Sequence, residues 1–238
     1  MSQRPIIGVT ALKEQEALRY QEAVERAGGS TLILCPDTFD SASIALTRIT
    51  GLLISGGPEI DPTLYGEVQN PKANLKISRQ RDDMELGLLR TALEKDMPVL
   101  AICRGMLVLN IVMGGRLIQD IAGHKAENED NEPESTYHRI YISPGSKLAA
   151  ILGSGGFVKV NSRHHQGIRE AQKSPLLLAS AYSLEDGLIE GLESPRHTWA
   201  IGVQCHPEKR LECPPHFDRL FETLVRQSER FVGGVHIR

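Results

Sequence analysis

The 238-residue sequence has few cysteines, no signal-peptide layout at its start and no long apolar run. Its four cysteines, Cys35, Cys103, Cys205 and Cys213, lack the spacing of a disulfide scaffold, which favours a reducing cytoplasm as the location. The apolar runs are all shorter than the roughly 18 residues of a membrane-spanning helix. We therefore expect a cytoplasmic protein with no membrane partner.

The sequence also has no excess of basic residues. Its formal net charge is -3 at pH 7 and its pI is near 6.3, with both signs spread along the chain. Proteins that bind nucleic acids need a basic face or stripe, so we expect no nucleic-acid partner. Segment 125–135 is acidic, which is typical of a solvated surface loop rather than a functional lid.

Internal repeats and Gly/Ser-rich linkers are absent as well, so we expect one domain over residues 1–238. Short apolar runs and amphipathic stretches alternate in the first half. This pattern predicts strands over 5–10, 31–35, 51–55 and 98–102, and helices over 14–27, 41–49, 82–95 and 106–113. A βαβα order is typical of a doubly wound α/β fold, a parallel sheet with helices on both faces.

The second half changes character. Strands are predicted over 139–143, 157–160, 176–181, 188–192 and 199–203, followed by a last helix over 216–231. Few helices separate these strands, so we expect an antiparallel region added to a mostly parallel sheet.

Cys103 lies directly after the apolar run Val99–Ile102 and before a helical pattern. A strand that turns sharply into a helix projects its last side chain toward the unpaired N–H groups of the first helical turn, which favour thiolate over thiol. Gly105 lets the helix pack closely on the sheet, as in nucleophile elbows, although Ala101 stands where those elbows commonly have a first glycine. We interpret Cys103 as a nucleophile.

His206 and Glu208 supply a base and a residue to orient it. His206 follows an apolar strand and precedes Pro207, which places it at the end of a strand, where open α/β sheets bind ligands. Glu208 lies two residues further on and can reach the imidazole ring. Nucleophile, base and orienting carboxylate are the three parts of a covalent hydrolase.

The strand Leu52–Ser55 runs into the turn Gly56-Gly57-Pro58. A glycine exposes its backbone N–H at the edge of a sheet with no side chain in the way, as the second donor of an oxyanion hole requires. Gly-Gly-Pro is also an ordinary turn. Together, however, the backbone N–H groups of Gly57 and Arg104 predict a two-donor site for a tetrahedral intermediate.

A zinc site is the alternative for the second segment, because Cys205, His206, Cys213 and His216 are metal-type ligands in a short span. Their spacing matches no paired zinc motif, and adjacent residues on a strand point to opposite faces. We therefore expect no metal at these residues. Cys35 and Cys205 are interpreted as core residues and Cys213 as a loop residue.

Together, these residues resemble those of the class I glutamine amidotransferase-like hydrolases, in the branch that includes γ-glutamyl-γ-aminobutyrate hydrolase. The resemblance covers almost the whole chain, including 4–10 and 55–62. The segments Cys103–Gly105 and Ser162–Gln166 point to this branch, and Cys205–Glu208 completes the match.

The resemblance implies a flavodoxin-like fold, a triad of Cys103, His206 and Glu208, and an oxyanion hole from the backbone of Gly57 and Arg104. It implies that the thiol attacks the γ-carbonyl of a γ-glutamyl amide, that the imidazole protonates the departing amine, and that water releases glutamate from the thioester. The partner is then a small-molecule substrate, no cofactor is needed, and relatives suggest a homodimer.

Two positions depart from the relatives. Leu107 stands where they often carry a glutamine that helps to hold the glutamyl group, and Cys205 stands where they commonly have tryptophan. The acyl group that is recognised therefore stays open, because losing a hydrogen-bonding group can reject a substrate by several orders of magnitude. We expect His164, His165 and Gln166, which follow a strand, to bind the glutamyl α-carboxylate or the leaving group; a polar turn satisfied by the backbone is the alternative.

Two other functions also stay open. A glutaminase subunit that passes ammonia to a partner synthetase would use the same triad, although the Cys-Arg-Gly sequence argues against it. A non-catalytic binding protein on the same scaffold is supported only by Leu107. The leaving group could be γ-aminobutyrate, as in polyamine catabolism, an aromatic amine or a poly-γ-glutamate tail. Asp82 followed by Glu85 is typical of a capping box at a helix start, so we place neither in the catalytic set.

Overall fold

The computed structural model describes residues 4–39, 41–124 and 135–232. Within these residues, nine strands form one sheet in the order β2-β1-β3-β4-β9-β8-β7-β5-β6. The strands are β1 (Ile6–Thr10), β2 (Ser30–Leu34), β3 (Gly51–Ile54), β4 (Val99–Ile102), β5 (Thr136–Ile142), β6 (Gly156–Ser162), β7 (Leu178–Ser183), β8 (Ile189–Glu193) and β9 (Ala200–Val203). Neighbours from β2 to β9 in this order are parallel, and those from β9 to β6 are antiparallel.

Helices cover both faces of the sheet, as predicted. They are α1 (Leu18–Arg26), α2 (Ala42–Ala45), α3 (Arg79–Glu94), α4 (Arg104–Val112), α5 (Lys147–Leu152) and α6 (Arg219–Val232). One buried cluster joins the sheet to α1, α5 and α6, and the other joins it to α2, α3 and α4. The central strand β4 serves both, because Leu100 and Ile102 face the first cluster while Val99 and Ala101 face the second.

The element bounds differ from the prediction at several places. The predicted helix over 14–27 begins as a 3-10 turn, α2 is shorter than predicted, and α5 was not predicted. Segment 125–134 lies outside the described residues. No helix among the described residues is long and apolar enough to cross a bilayer.

The capping-box interpretation of Asp82 and Glu85 is wrong. Helix α3 begins at Arg79 with Ser78 at its N-cap, so both carboxylates lie within the helix rather than at its start. Both are buried, at 1% and 0% exposure. They face the sheet, and their partners belong to the candidate site described below.

Close approach between α4 and β3 fixes the turn that carries Cys103. A Cβ atom built on Gly105 would lie 2.2 Å from the carbonyl oxygen of Ile54, far inside van der Waals contact. Since that atom is backbone, it cannot move aside without distorting β3. Glycine is therefore required at this position for packing.

We predict that Gly105→Ala lowers the free energy of unfolding by about 3 kcal/mol, the upper end of typical overpacking costs. Gly87→Ala is the matched control, because its Cβ would have only the Ala42 Cβ, at 4.0 Å, within van der Waals reach. Alanine is the better helix former, so the control should raise the free energy of unfolding by about 0.5–1 kcal/mol. Urea unfolding of both variants measures the difference, and equal effects would contradict this packing argument.

Candidate active site

Cys103 occupies the turn between β4 and α4. Its backbone φ of +51° and ψ of −108° are unusual for a residue with a side chain, and such conformations cost about 1–3 kcal/mol. The neighbouring strands hold the turn, since the Cys103 N–H donates to the Val203 carbonyl over 2.8 Å. The Nε2 of Gln204 donates a hydrogen bond to the cysteine sulfur over 3.6 Å. One hydrogen bond thus holds the Cys103 backbone and another its buried sulfur.

His206 lies just beyond the end of β9, as predicted, and its imidazole Nδ1 is 2.6 Å from Oε1 of Glu208. Asn161 of β6 fixes the backbone, accepting from the His206 N–H over 2.8 Å and donating to its carbonyl over 3.1 Å. Burial disfavours the imidazolium, yet the charges of Glu208 and Cys103 raise the pKa of His206 well above its usual range. The His206 ring is thus bonded to Glu208 and feels the charge of Cys103, while its Nε2 is buried and has no hydrogen-bond partner among the described residues.

Tyr20, which was not predicted as a site residue, also belongs to this group. Its hydroxyl oxygen accepts a hydrogen bond from the Gly56 N–H over 3.0 Å. Burial and the nearby Glu208 carboxylate raise the pKa of Tyr20 well above its usual range, so the phenol stays protonated. A Cβ on Gly56 would lie 2.8 Å from the tyrosine oxygen and 3.0 Å from the His206 ring. Glycine here admits both rings.

An open pocket lies over the thiol. Gly57 and Arg104, the two predicted oxyanion residues, both line it beside Cys103. The φ of Gly57 is +151°, and a Cβ there would lie 2.1 Å from Nη1 of Arg81. The other lining residues are Pro58, Glu59, Leu107, Arg163, His164, His165 and Gln166.

Four buried charges lie beneath this pocket and were not predicted. The Arg104 guanidinium pairs with the carboxylates of both Asp82 and Glu85. Nε of Arg81 donates to the same Glu85 over 2.9 Å. Burial lowers the pKa of Arg104 to about 9, which still leaves it charged at neutral pH. Two positive and two negative groups therefore compensate one another inside the protein.

The same charges fix the loop after β3. Nη2 of Arg81 donates to the Gly56 carbonyl over 2.7 Å and to Oγ of Ser55 over 2.9 Å. The Thr10 hydroxyl donates to Oε1 of Glu85 over 2.6 Å, which adds β1 to the network. Helix α3 is thereby tied to Ser55 and Gly56 of the loop and to the first residue of α4.

The three predicted binding residues, His164, His165 and Gln166, all line the pocket, and each is bonded to a different partner within the protein. Gln166 holds the backbone of Ile60 through both ends of its amide, at 3.0 and 3.3 Å, so this amide is already engaged. Burial and the neighbouring His124 lower the pKa of His164 to about 3, and the ring stays neutral. His165 lies between Glu59 and Asp120, with ring nitrogens 2.5 and 3.2 Å from their carboxylate oxygens.

The two departures from relatives also have defined positions. Leu107 lines the pocket, so the position that often carries an amide presents an apolar surface here. Cys205 is buried, and hydrogen bonding with Cys213 together with burial raises the pKa of Cys205 well above its usual range. Both cysteines are core residues, and Cys213 lies between the regular elements as expected.

Comparison with known proteins confirms the family resemblance of the sequence. The family model described as peptidase C26 matches residues 5–208. A protein of Schizosaccharomyces pombe with the provisional name of a glutamine amidotransferase is 36% identical over 228 residues, 94% of this chain and 87% of its own. The γ-glutamyl-γ-aminobutyrate hydrolase PuuD of Escherichia coli K12 is 32% identical over 225 residues, 86% of this chain and 85% of its own.

Solved structures support the fold. The glutaminase domain of Trypanosoma brucei CTPS, determined with bound acivicin, has a TM-score of 0.64 and 16% identity, covering 94% of each chain. At this identity the likeness concerns the fold alone, and it confirms the predicted flavodoxin-like α/β architecture.

We predict that Glu85→Gln lowers the free energy of unfolding by about 3–5 kcal/mol, because it leaves buried guanidinium charge uncompensated. Asp83→Asn is the matched control on the same helix, since Asp83 is 59% exposed and pairs with Arg79 at the surface. Exposed pairs contribute little, so the control should unfold like the wild type. Urea unfolding measures both, and a Glu85→Gln protein as stable as its control would show that the network is dispensable.

Proposed function

Because this chain belongs to the peptidase C26 family of class I glutamine amidotransferase-like hydrolases, we propose that it hydrolyses a γ-glutamyl amide to glutamate and an amine through a Cys-His-Glu triad. One observation carries the proposal. Cys103 lies at a strained strand–helix turn beside His206, whose ring is bound to Glu208. A nucleophile, a base and an orienting carboxylate in contact are the requirements of covalent amide hydrolysis.

In the first half of the reaction, the Cys103 thiolate attacks the γ-carbonyl carbon, and the carbonyl oxygen becomes an oxyanion. The N–H groups of Gly57 and Arg104 stabilise that charge. Removing one such donor typically lowers kcat by about 10²–10³-fold. His206 then gives its proton to the amine nitrogen, the C–N bond breaks, and a γ-glutamyl thioester remains. Glu208 stabilises the imidazolium throughout.

In the second half, water takes the place that the amine has left. His206 accepts a proton from this water, whose oxygen attacks the thioester carbonyl. The carbon–sulfur bond then breaks, which releases glutamate and restores the thiolate–imidazolium pair. Overall, one proton passes from water to the departing amine through His206, and the triad side chains return to their starting states.

Charged residues of the pocket wall fit the two charges of a glutamyl group. The Glu59 carboxylate would bind the α-ammonium, and the Arg163 guanidinium would bind the α-carboxylate. His165, bonded to Glu59, would orient that carboxylate. Since the Gln166 amide and the His164 Nδ1 are engaged within the protein, we assign these two residues to positioning the wall rather than to contacting the substrate.

The substrate named for the Escherichia coli relative makes γ-glutamyl-γ-aminobutyrate the first compound to test. A glutaminase that passes ammonia to a synthetase is the second candidate. The provisional name of the Schizosaccharomyces pombe relative favours it. Leu107 lines the pocket where a hydrogen-bonding residue is common in relatives, so experiment must decide between the γ-glutamyl hydrolase and the glutaminase.

We predict glutamate release from γ-glutamyl-γ-aminobutyrate that exceeds release from free glutamine and falls by at least about 10³-fold in Cys103→Ala. Cys213→Ala is the matched control, because it removes a buried thiol outside the pocket. A coupled glutamate assay measures all three proteins. Glutamate release from glutamine alone would favour the glutaminase over the γ-glutamyl hydrolase. No release from either compound would contradict the proposed class of substrate.

We predict that Glu208→Gln slows alkylation of Cys103 by iodoacetamide at pH 7 by about tenfold or more. Glu208 raises the pKa of His206, so its loss lowers that pKa, reduces the imidazolium population and with it the paired thiolate. Glu170→Gln, at an exposed carboxylate, is the control and should react like the wild type. Mass spectrometry of the Cys103 peptide gives the rate, and an unchanged rate in Glu208→Gln would remove Glu208 from the triad.

A further inference from the structure

A second group of buried titratable residues lies next to the pocket and has no role in the proposed reaction. It consists of His124, His138, His164 and Glu190, hereafter the histidine cluster, all less than 9% exposed. The His124 ring centroid is 4.6 Å from that of His138 and 4.8 Å from that of His164. The residues come from four segments that are distant in the chain, on or beside β5, β6 and β8.

Hydrogen bonding fixes the tautomer of His164. Its Nδ1 is 3.0 Å from the carbonyl oxygen of Gln166, which can only accept, so Nδ1 carries the proton. In the neutral ring, Nε2 then has a lone pair. This atom is buried, has no hydrogen-bond partner among the described residues, and is 3.7 Å from Oε1 of Glu190. Two electron-rich atoms thus face each other.

Glu190 has the same deficit. Neither carboxylate oxygen accepts a hydrogen bond from any described residue, although both are fully buried. His138 Nε2 is 3.3 Å from Oε2, within the range of an ion pair but outside hydrogen-bond geometry. A buried carboxylate is stable only when it is paired or coordinates a cation; His138 pairs with Oε2, so the deficit of Glu190 lies at Oε1.

His124 completes an arrangement typical of metal sites. Its Nε2 is 3.1 Å from Oδ2 of Asp186, and a second-shell carboxylate of this kind orients a histidine ligand. The other nitrogen, Nδ1, is 3.2 Å from Oγ of Ser162, whose proton has an alternative acceptor in the His124 carbonyl at 3.0 Å. One ligand atom from each of His124, His164 and Glu190 lies within 4.8 Å of the others.

We propose that His124, His164 and Glu190 bind a zinc ion. Two imidazole nitrogens and one carboxylate oxygen form a donor set that zinc commonly takes, with water in the remaining tetrahedral position. The cation would occupy the space between His164 Nε2 and Glu190 Oε1, where the two unpartnered acceptors meet. His138 stays on the other carboxylate oxygen, and Asp186 and the Gln166 carbonyl form the second shell.

The ion would support the active site without taking part in the reaction. It fixes His164, which lines the pocket, and it fixes β8, whose Glu190 carbonyl accepts from the Gln204 N–H over 3.0 Å. Gln204 in turn bonds to the Cys103 sulfur. The proposal rests on these contacts and is independent of the substrate proposed above.

The test is metal content of the untagged, full-length protein. After dialysis against a chelator, addition of Zn²⁺ and removal of the excess, elemental analysis should give one zinc per chain. His164→Asn and Glu190→Gln should each lower the zinc affinity by at least about 100-fold. Cys213→Ser and His216→Asn, which alter the metal-type residues near His206, are the matched controls and should keep the full equivalent.

Cobalt binding provides a second readout, which uses the wild-type protein and so does not require that the variants fold. Co²⁺ bound at the histidine cluster should give ligand-field bands without the intense near-ultraviolet band of sulfur-to-cobalt charge transfer. That charge-transfer band in the wild type, loss of zinc in Cys213→Ser, or no stoichiometric zinc at all would each overturn the proposal. So would an unchanged zinc affinity in both His164→Asn and Glu190→Gln.

Discussion

The compensation of two arginines by two carboxylates beneath the pocket is the interaction on which the rest of the site depends. Arg104 is the first residue of α4, so the pairing of its side chain also fixes the backbone directly after Cys103. Arg81 holds the carbonyl of Gly56, and Glu85 joins the two guanidinium groups. A strained backbone survives only where its surroundings over-determine it, and this network provides much of that constraint.

The sheet could be predicted from the sequence because its central strands are buried on both faces. Such strands appear as unbroken apolar runs, as in Leu52–Ile54 and Val99–Ile102, and need no longer-range information. Helix α5 escaped prediction because its six residues hold less than two turns of periodicity. The start of α3 was misplaced because acidic residues that satisfy buried arginines look the same in sequence as acidic residues that cap a helix.

Without the family resemblance, the contacts of the site follow from the sequence only where they are local. His206 and Glu208 are two residues apart, and their pairing follows from that spacing. The nearness of Cys103 to His206 depends instead on β4 pairing with β9, in the register that places Ile102 beside Val203. Nothing in either segment shows that register. For Gln166 both a ligand and the backbone were expected as possible partners, because a side chain at a strand end can face either; here it binds the backbone of Ile60.

The position of β9 has a consequence for how the molecule is made. It is the last of the described strands in the chain, yet it lies in the interior of the sheet, between β4 and β8. During synthesis, β4 and β8 therefore emerge from the ribosome with open edges that only β9 can close, and open edges invite pairing with other chains. The same order keeps the cysteine and the histidine apart until β9 has been made, so the nascent chain is exposed to aggregation before the two groups can act together.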